Sequence, residues 1–124
     1  MGSQTILICD DDEGMRRLMS AMLSPDRYEL RLAATGDEAA AAAEDADLLI
    51  LDLHMPGRDG LSVLEGIRND ADLSGTKVLL VSGSAEAFDT DWAARVGADA
   101  HLPKPFDMAT LRAAVRDLLG DPAA

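Results

Sequence analysis

Short apolar runs alternate along this chain with segments whose apolar residues follow a helical period. Runs of this kind are too short and too continuous for amphipathic helices, and they are typical of strands buried on both faces. Four of them are Ile6–Cys9, Asp47–Leu51, Lys77–Val81 and Ala100–Leu102. A fifth run, Tyr28–Ala33, alternates apolar with polar residues, which predicts an edge strand or a half-covered strand.

The segments between these runs carry helical signals. Their apolar residues recur three and four positions apart, and several segments have a capping residue at the start or a glycine at the end. The segments are marked by Met15, Leu18, Met19, Met22 and Leu23; by the capping-box pattern of Thr35 to Glu38 with an alanine-rich helix to about Glu44; by Leu61, Leu64 and Ile67; by Phe88, Trp92 and Val96, ended by Gly97; and by Leu111, Val115, Leu118 and Leu119 after Asp107.

This order of elements predicts one α/β domain with a doubly wound (βα)5 architecture. Strands this apolar need cover on both faces, and alternating strands and helices imply right-handed crossovers in a parallel sheet. The length of 124 residues lies in the range of a single domain. No linker, repeat or change of composition is present, which favours one domain over two.

The charge of the chain limits its classes of partner. With 23 acidic against 11 basic residues, the formal net charge is −12, which argues against direct binding to the phosphate backbones of DNA or RNA. Aromatic residues make up only 3% of the chain, which leaves little material for stacking on bases. Such a composition suits the binding of cations better.

Neither a membrane segment nor an export signal is apparent in the sequence. No apolar run approaches the roughly 18 residues needed to cross a bilayer, and the N-terminus has no basic stretch followed by an apolar one. The single cysteine, Cys9, lies inside the first apolar run, which favours a reduced, buried thiol over a reactive one. We therefore expect a cytoplasmic protein without a membrane partner.

Polar residues stand where four of the predicted strands end. In open parallel sheets, ligands bind beyond the carboxyl ends of the strands. The first strand is followed by Asp10, Asp11, Asp12 and Glu13, the third by Asp52, the fourth by Ser82 and the fifth by Lys104. Each residue alone is explained as a helix cap, a strand end or a solvated side chain. Their convergence on one edge of the sheet favours a functional site.

The side chains at this edge suit metal-assisted phosphoryl transfer. Crowded carboxylates either take up protons or bind a hard cation, and oxygen ligands favour Mg²⁺ or Mn²⁺ over zinc. Such a metal would let Asp52 attack a phosphoryl donor and form an aspartyl phosphate. The Lys104 ammonium and the Ser82 hydroxyl would pair with other oxygens of the phosphoryl group.

Several motifs at these positions resemble the receiver domains of two-component response regulators, including the stand-alone chemotaxis receivers. The resemblance covers the chain from about Gln4 to Leu119, so we place the domain at residues 4–119 and a C-terminal tail at residues 120–124. The matching motifs are the strand and acidic pair of Ile6 to Glu13, the segment Leu49 to Leu61 with its Asp52, Met-Pro and Asp-Gly, the triplet Val81-Ser82-Gly83, and Lys104-Pro105-Phe106. Together these motifs are highly specific.

The resemblance implies a fold and a set of site residues. The fold is flavodoxin-like, with five parallel strands in the order 2-1-3-4-5. Asp52 is the phosphoacceptor, and the metal contacts are Asp10, Asp11, Asp52 itself and the backbone carbonyl of His54. The bond from Lys104 to the following proline is cis in the family.

The resemblance also implies a switch and its partners. A histidine kinase, a phosphotransfer protein or a small phosphodonor supplies the phosphoryl group, and the domain catalyses only its own phosphorylation and dephosphorylation. Ser82 then moves toward the phosphate and His101 turns inward, which changes the surface of the fourth helix, fifth strand and fifth helix for a downstream protein or output domain. His101 departs from the Tyr or Phe usual in the family, so a half-exposed histidine without a switching role is an equal alternative.

Two other functions remain open on the sequence. A pseudo-receiver would bind a partner without phosphorylation, although its site residues would not need to be intact as they are here. A phosphatase of the haloacid dehalogenase type also forms an aspartyl phosphate with Mg²⁺. Its Asp-x-Asp-x-Thr pattern on the first strand is broken at Gly14 and Met15, and 124 residues scarcely allow its substrate cap.

Overall fold

Five parallel strands form the centre of the fold in the computed structural model, which describes residues 4–23, 28–53, 55, 59–73, 75–83 and 95–120. The strands are β1 Gln4–Cys9, β2 Tyr28–Ala33, β3 Leu48–Asp52, β4 Lys77–Ser82 and β5 Ala100–Pro103. Their order in the sheet is β2-β1-β3-β4-β5, and every neighbouring pair is parallel. The predicted α/β class and strand order are confirmed.

Helices follow the strands along the chain. In the described part of the chain they are α1 Glu13–Met22, α2 Gly36–Ala42 with a 3₁₀ turn at Ala43–Asp45, α3 Gly60–Asn69 and a C-terminal helix, Met108–Leu119. The predicted helix at Phe88 and Trp92 lies outside the described residues. Gly97, predicted to end it, has a φ of +96°, which favours glycine. None of the described helices is long and apolar enough to cross a bilayer.

The two faces of the sheet pack into separate apolar clusters. On one face, Ile8 and Ile50 belong to the same cluster as Met19 of α1 and Val115 of the C-terminal helix. On the other face, Leu7 and the alternate residues of the neighbouring strands pack with α2 and α3. Burial of both faces explains why the strands appear in the sequence as continuous apolar runs.

The ends of two elements differ from the sequence-based prediction. The helix predicted to reach Glu44 ends at Ala42, because a 3₁₀ turn tightens its last residues. Its capping box forms only in part. Thr35 Oγ1 accepts the N–H of Glu38 at 3.2 Å, as predicted, but the Glu38 carboxylate accepts the N–H of Ala34 at 3.3 Å instead of that of Thr35.

Two leucines, Leu32 of β2 and Leu18 of α1, are exposed to solvent. β2 lies at one edge of the sheet, as its alternating pattern predicted, and Leu32 is 51% exposed there. Leu18 was predicted to share the buried stripe of α1, but it is 48% exposed. The buried apolar face of α1 is therefore narrower than the spacing of its apolar residues indicated, and its buried residues are Met19 and Leu23.

The guanidinium of Arg68, near the end of α3, ties three segments together. Its Nε donates to the carbonyl of Gly97 at 2.7 Å, and its Nη1 donates to that of Thr76 at 2.8 Å. Its Nη2 pairs with Asp99 Oδ2 at 2.7 Å, and the same oxygen accepts the N–H of Val78 at 2.8 Å. These bonds hold the carboxyl end of α3 against the amino ends of β4 and β5.

The opposite end of α3 begins in close contact with β3, which requires glycine. The N–H of Gly60 donates to the carbonyl of Leu53 at 3.0 Å. A Cβ at position 60 would lie 2.8 Å from the Leu53 Cα and would collide with the carbonyl oxygen of Asp52. Asp59 caps the helix by accepting the N–H of Ser62 at 2.9 Å. The start of α3 therefore lies directly against the backbone of Asp52 and Leu53.

Arg68→Met is expected to lower the free energy of unfolding by about 2–4 kcal/mol, because it leaves the Asp99 carboxylate without its cation and removes three hydrogen bonds. The matched control is Arg31→Met. Arg31 pairs with Glu29 at 3.3 Å and Asp45 at 3.4 Å, with more exposed partners, and its loss is expected to cost less than about 1 kcal/mol. Urea unfolding measures both free energies. Equal losses of stability in the two variants would show that the Arg68 contacts contribute no more than an exposed ion pair.

Gly60→Ala is expected to destabilise the fold by about 1–3 kcal/mol, because the added Cβ must displace the backbone at the end of β3. Gly75→Ala serves as the control, since a Cβ there meets no atom within 4 Å, and its effect is expected to stay within about 1 kcal/mol. Thermal unfolding measures both. A Gly60→Ala variant as stable as wild type would show that the close approach is not required.

Candidate phosphoacceptor and metal site

Three carboxylates meet beyond the carboxyl ends of β1 and β3. Asp10, Asp11 and Asp52 each offer an oxygen, and these oxygens lie within 4.8 Å of one another. The register of the parallel strands explains the meeting. Cys9 of β1 is opposite Leu51 of β3, so the residues that follow them, Asp10 and Asp52, lie side by side. The structure thus brings together the three side chains that the sequence predicted as metal ligands.

The three carboxylates differ in their access to solvent. Asp10 is 1% exposed and Asp52 is also buried, whereas Asp11 is exposed. Buried carboxylates in contact with one another are costly unless cations balance their charge. The cluster therefore needs positive charge, and it is open to solvent on the side of Asp11.

Lys104 supplies part of this charge from the end of β5. Its Nζ lies 2.9 Å from Asp10 Oδ2 and 3.8 Å from Asp52 Oδ2. The main-chain N–H of Lys104 donates to the carbonyl of Ser82 at 3.0 Å, which ties the lysine to the end of β4. The peptide bond between Lys104 and Pro105 is cis, as the sequence resemblance implied.

The remaining charge of the cluster fits a divalent cation. Three carboxylates (−3) and one ammonium (+1) leave a formal charge of −2. The ligand atoms are carboxylate oxygens, the donors that Mg²⁺ and Mn²⁺ prefer in proteins. The residues present therefore fit the predicted metal. The backbone carbonyl of His54, the further predicted ligand, lies outside the described residues.

Asp12, the third consecutive acid, has a structural role. Its Oδ1 accepts the N–H groups of Gly14 at 2.8 Å and Met15 at 3.4 Å, so it is the N-cap of α1. Its own N–H donates to Asp10 Oδ1 at 2.9 Å. The helix cap, which the sequence left as an alternative for the whole acidic run, thus applies to Asp12, while Asp10 and Asp11 join the cluster.

Ser82 lies at the end of β4, next to the cluster in the register of the sheet. Asp52 is opposite Val81, and Ser82 is the following residue. Ser82 is 2% exposed. The predicted hydroxyl and ammonium residues are therefore neighbours, since Ser82 also accepts the main-chain hydrogen bond from Lys104.

His101 lies on β5, three residues before Lys104. It is half-buried and stands opposite Leu80 of β4. It does not join the carboxylate cluster. A switch role for His101 stays a prediction, because such a role depends on a second orientation of its side chain.

One residue at the site was missed by the sequence reasoning. Arg16 on α1 donates from its Nη1 to the main-chain carbonyl of Asp10 at 2.7 Å. Its position one turn after the acidic run would have suggested proximity, because residues in the first turns of α1 lie next to the strand end. Its side chain could equally have faced solvent, as that of Arg17 does.

Cys9 lies one residue before the acidic cluster and is not a nucleophile. Its side chain is fully buried, as the sequence predicted. Burial raises the pKa of the thiol well above its usual range, and the negative charges of Asp10 and Glu38 raise it further. The thiol therefore stays protonated and packs as an apolar group.

Known sequences match this chain over nearly its whole length. The family model described as the response regulator receiver domain matches residues 6–116. The transcriptional regulatory protein GltR of Pseudomonas aeruginosa is 32% identical over 118 residues, which cover 94% of this chain and 49% of that protein. The probable transcriptional regulator ycf27 of Porphyridium aerugineum is 31% identical over 121 residues, 96% of this chain and 49% of that protein. The chain spans about half the length of these curated relatives.

Solved structures of similar size have the same fold. The chemotaxis protein CheY4 of Vibrio cholerae matches with a TM-score of 0.85 and 28% identity, over 95% of this chain and 100% of that chain. The receiver domain of the sensor histidine kinase PA1611 from Pseudomonas aeruginosa matches with a TM-score of 0.84 and 26% identity, over 97% of this chain and 100% of that chain. That structure has a magnesium ion coordinated in its active site cleft. The match to the family model, the strand order and these neighbours together show that the chain belongs to the response regulator receiver domain family, the signalling modules of two-component systems.

Proposed function

We propose that this receiver accepts a phosphoryl group on Asp52, in a reaction that requires Mg²⁺ or Mn²⁺. The observation that carries the proposal is the meeting of three carboxylates with one lysine at the ends of β1, β3 and β5. Asp10, Asp11, Asp52 and the backbone carbonyl of His54 would hold the cation. The cation would supply charge neutralisation at the attacking carboxylate and at the phosphoryl oxygens.

Each protein group has a definite task in the transfer. An oxygen of Asp52 forms a bond to phosphorus while the bond from phosphorus to the donor breaks, and the donor group leaves with the electron pair. Lys104 already lies 3.8 Å from Asp52, so its ammonium is placed to bind an oxygen of the phosphoryl group. The buried Ser82, at the end of β4, would donate its hydroxyl to another oxygen of that group.

The receiver would work between two partners. A histidine kinase or a phosphotransfer protein would supply the phosphoryl group, which would place the reaction in the cytoplasm, and a small acyl phosphate would replace the protein donor in vitro. Residues 4–119 would form the switching unit. Its target would be an output domain or a separate downstream protein. The contact surface would be formed by the predicted helix at Phe88 and Trp92, β5 and the C-terminal helix, with Ser82 and His101 as the residues that change orientation.

The contacts of Asp10 and Asp12 argue against a phosphoacceptor on the first strand, which a dehalogenase-type phosphatase requires. Both oxygens of Asp10 are engaged, Oδ1 by the N–H of Asp12 and Oδ2 by Lys104. Asp12 is engaged as the cap of α1. Asp52, the third carboxylate of the cluster, caps none of the described helices, and its Oδ2 lies 3.8 Å from Lys104 Nζ. A pseudo-receiver is disfavoured because the full set of carboxylates and the lysine is assembled.

Incubation with Mg²⁺ and acetyl phosphate is expected to add one phosphoryl group to the wild-type protein and none to Asp52→Asn. EDTA is expected to abolish the gain, because the cluster then keeps its uncompensated negative charge beside the reacting oxygen. Intact-mass spectrometry measures the result. Asp11→Asn should slow the reaction by about tenfold or more, whereas Asp37→Asn, which removes an exposed acid of α2, should leave the rate unchanged.

Failure with acetyl phosphate would be followed by a test with phosphorylated histidine kinases or phosphotransfer proteins. Failure with every donor in the presence of Mg²⁺ or Mn²⁺ would contradict the proposal and favour the pseudo-receiver. A phosphoryl gain that persists in Asp52→Asn would place the acceptor elsewhere.

A further inference from the structure

One guanidinium reaches the acidic cluster from α1, and the proposed reaction does not use it. The Nη1 of Arg16 donates to the main-chain carbonyl of Asp10 at 2.7 Å, in a partly buried position. That carbonyl belongs to the peptide unit that joins Asp10 to Asp11. The bond therefore fixes the peptide plane between two of the three carboxylates.

The main-chain N–H of Arg16 bonds to Asp12, at the other end of the same acidic turn. The N–H of Arg16 donates to the carbonyl of Asp12 at 3.0 Å. Asp12 in turn donates its N–H to Asp10 Oδ1 at 2.9 Å. The turn of residues 10–12, which presents the Asp11 carboxylate to solvent and to the cluster, is thus held from both sides by one arginine.

We infer that Arg16 is a positioning residue for the cation site, because its side chain fixes the turn that brings the carboxylates of Asp10 and Asp11 to that of Asp52. This inference rests on the proposed function, since it concerns the same cation. It adds a role for a residue outside the cluster. Arg16 acts through the main chain and touches neither the cation nor the phosphoryl group.

The charge of the Arg16 guanidinium and its hydrogen bond to the acidic turn predict opposite changes in Mg²⁺ affinity when Arg16 is replaced. A guanidinium stays protonated and repels a nearby cation, so on charge alone a neutral residue at position 16 would tighten Mg²⁺ binding. If the side chain positions the turn, the same replacement weakens binding, because hydrogen bonds to metal-binding residues hold the ligands in their binding geometry. The sign of the change separates the two roles.

Arg17 provides a matched control in the same helix. It has the same charge and is the next residue, but its Nη2 pairs with Glu13 Oε1 at 2.9 Å, and both side chains are largely exposed. Its removal changes the charge near the acidic turn without removing a hydrogen bond to the main chain of Asp10.

The test is a calorimetric titration with MgCl₂ alone, at fixed ionic strength and without a phosphoryl donor. Arg16→Met is expected to raise the Kd for Mg²⁺ about tenfold. Arg16→Lys keeps the positive charge and an N–H donor on the side chain, so it is expected to raise the Kd for Mg²⁺ by a smaller factor. Arg17→Met is expected to leave the Kd unchanged or slightly lower. Thermal unfolding in EDTA establishes that each variant is folded at the titration temperature.

Binding by Arg16→Met that is as tight as that of wild type, or tighter, would overturn the inference and leave the proposed function intact. Absence of Mg²⁺ binding by the wild-type protein would instead count against the metal site itself, and against the inference with it. If Arg16→Met is unfolded at the titration temperature, Arg16→Lys decides the matter. Weaker binding by that variant supports the inference, and binding equal to wild type overturns it.

Discussion

The charge balance between Lys104 and the carboxylates of Asp10 and Asp52 is the interaction on which the site depends. Two buried acids lie side by side because β1 and β3 are neighbours in register. Such a pair is costly without a cation, and the ammonium 2.9 Å from Asp10 offsets part of that cost. With Asp11 included, the balance remains at −2. A divalent cation would complete the balance.

Contacts at both ends of the sheet fix the positions of these carboxylates and of the lysine. The central strands β1, β3 and β4 are buried on both faces, so the positions of their carboxyl ends are fixed by the packing of two apolar clusters. α3 spans the distance between the ends, with Gly60 pressed against the backbone of Asp52 at one end and Arg68 bonded to the amino ends of β4 and β5 at the other. Polar residues at the strand ends can therefore be specialised for chemistry, because they are not needed to hold the sheet together.

Sequence patterns predicted the architecture because burial on both faces leaves a continuous apolar run in each central strand, and the edge strand β2 shows alternation instead. Asp10, Asp11, Asp52 and Lys104 were predicted together because the carboxyl ends of parallel strands share one edge. Two details could not be assigned from the sequence: the separate role of Asp12 as a helix cap, and the hydrogen bond from Arg16 to the main chain of Asp10. Both depend on the backbone conformation of a few residues at the start of α1. The exposure of Leu18 was missed because the helical spacing does not fix how wide a stripe the sheet covers.

Chemical identification of the phosphorylated residue decides whether Asp52 is the phosphoacceptor. The protein is incubated with Mg²⁺ and acetyl phosphate, the acyl phosphate is reduced with borohydride, and the peptides are sequenced by mass spectrometry. Reduction converts a phosphorylated aspartate to homoserine. If Asp52 is the phosphoacceptor, homoserine is expected at position 52 alone. Homoserine at position 10, directly after β1, would contradict phosphorylation of Asp52 and would favour a dehalogenase-type mechanism.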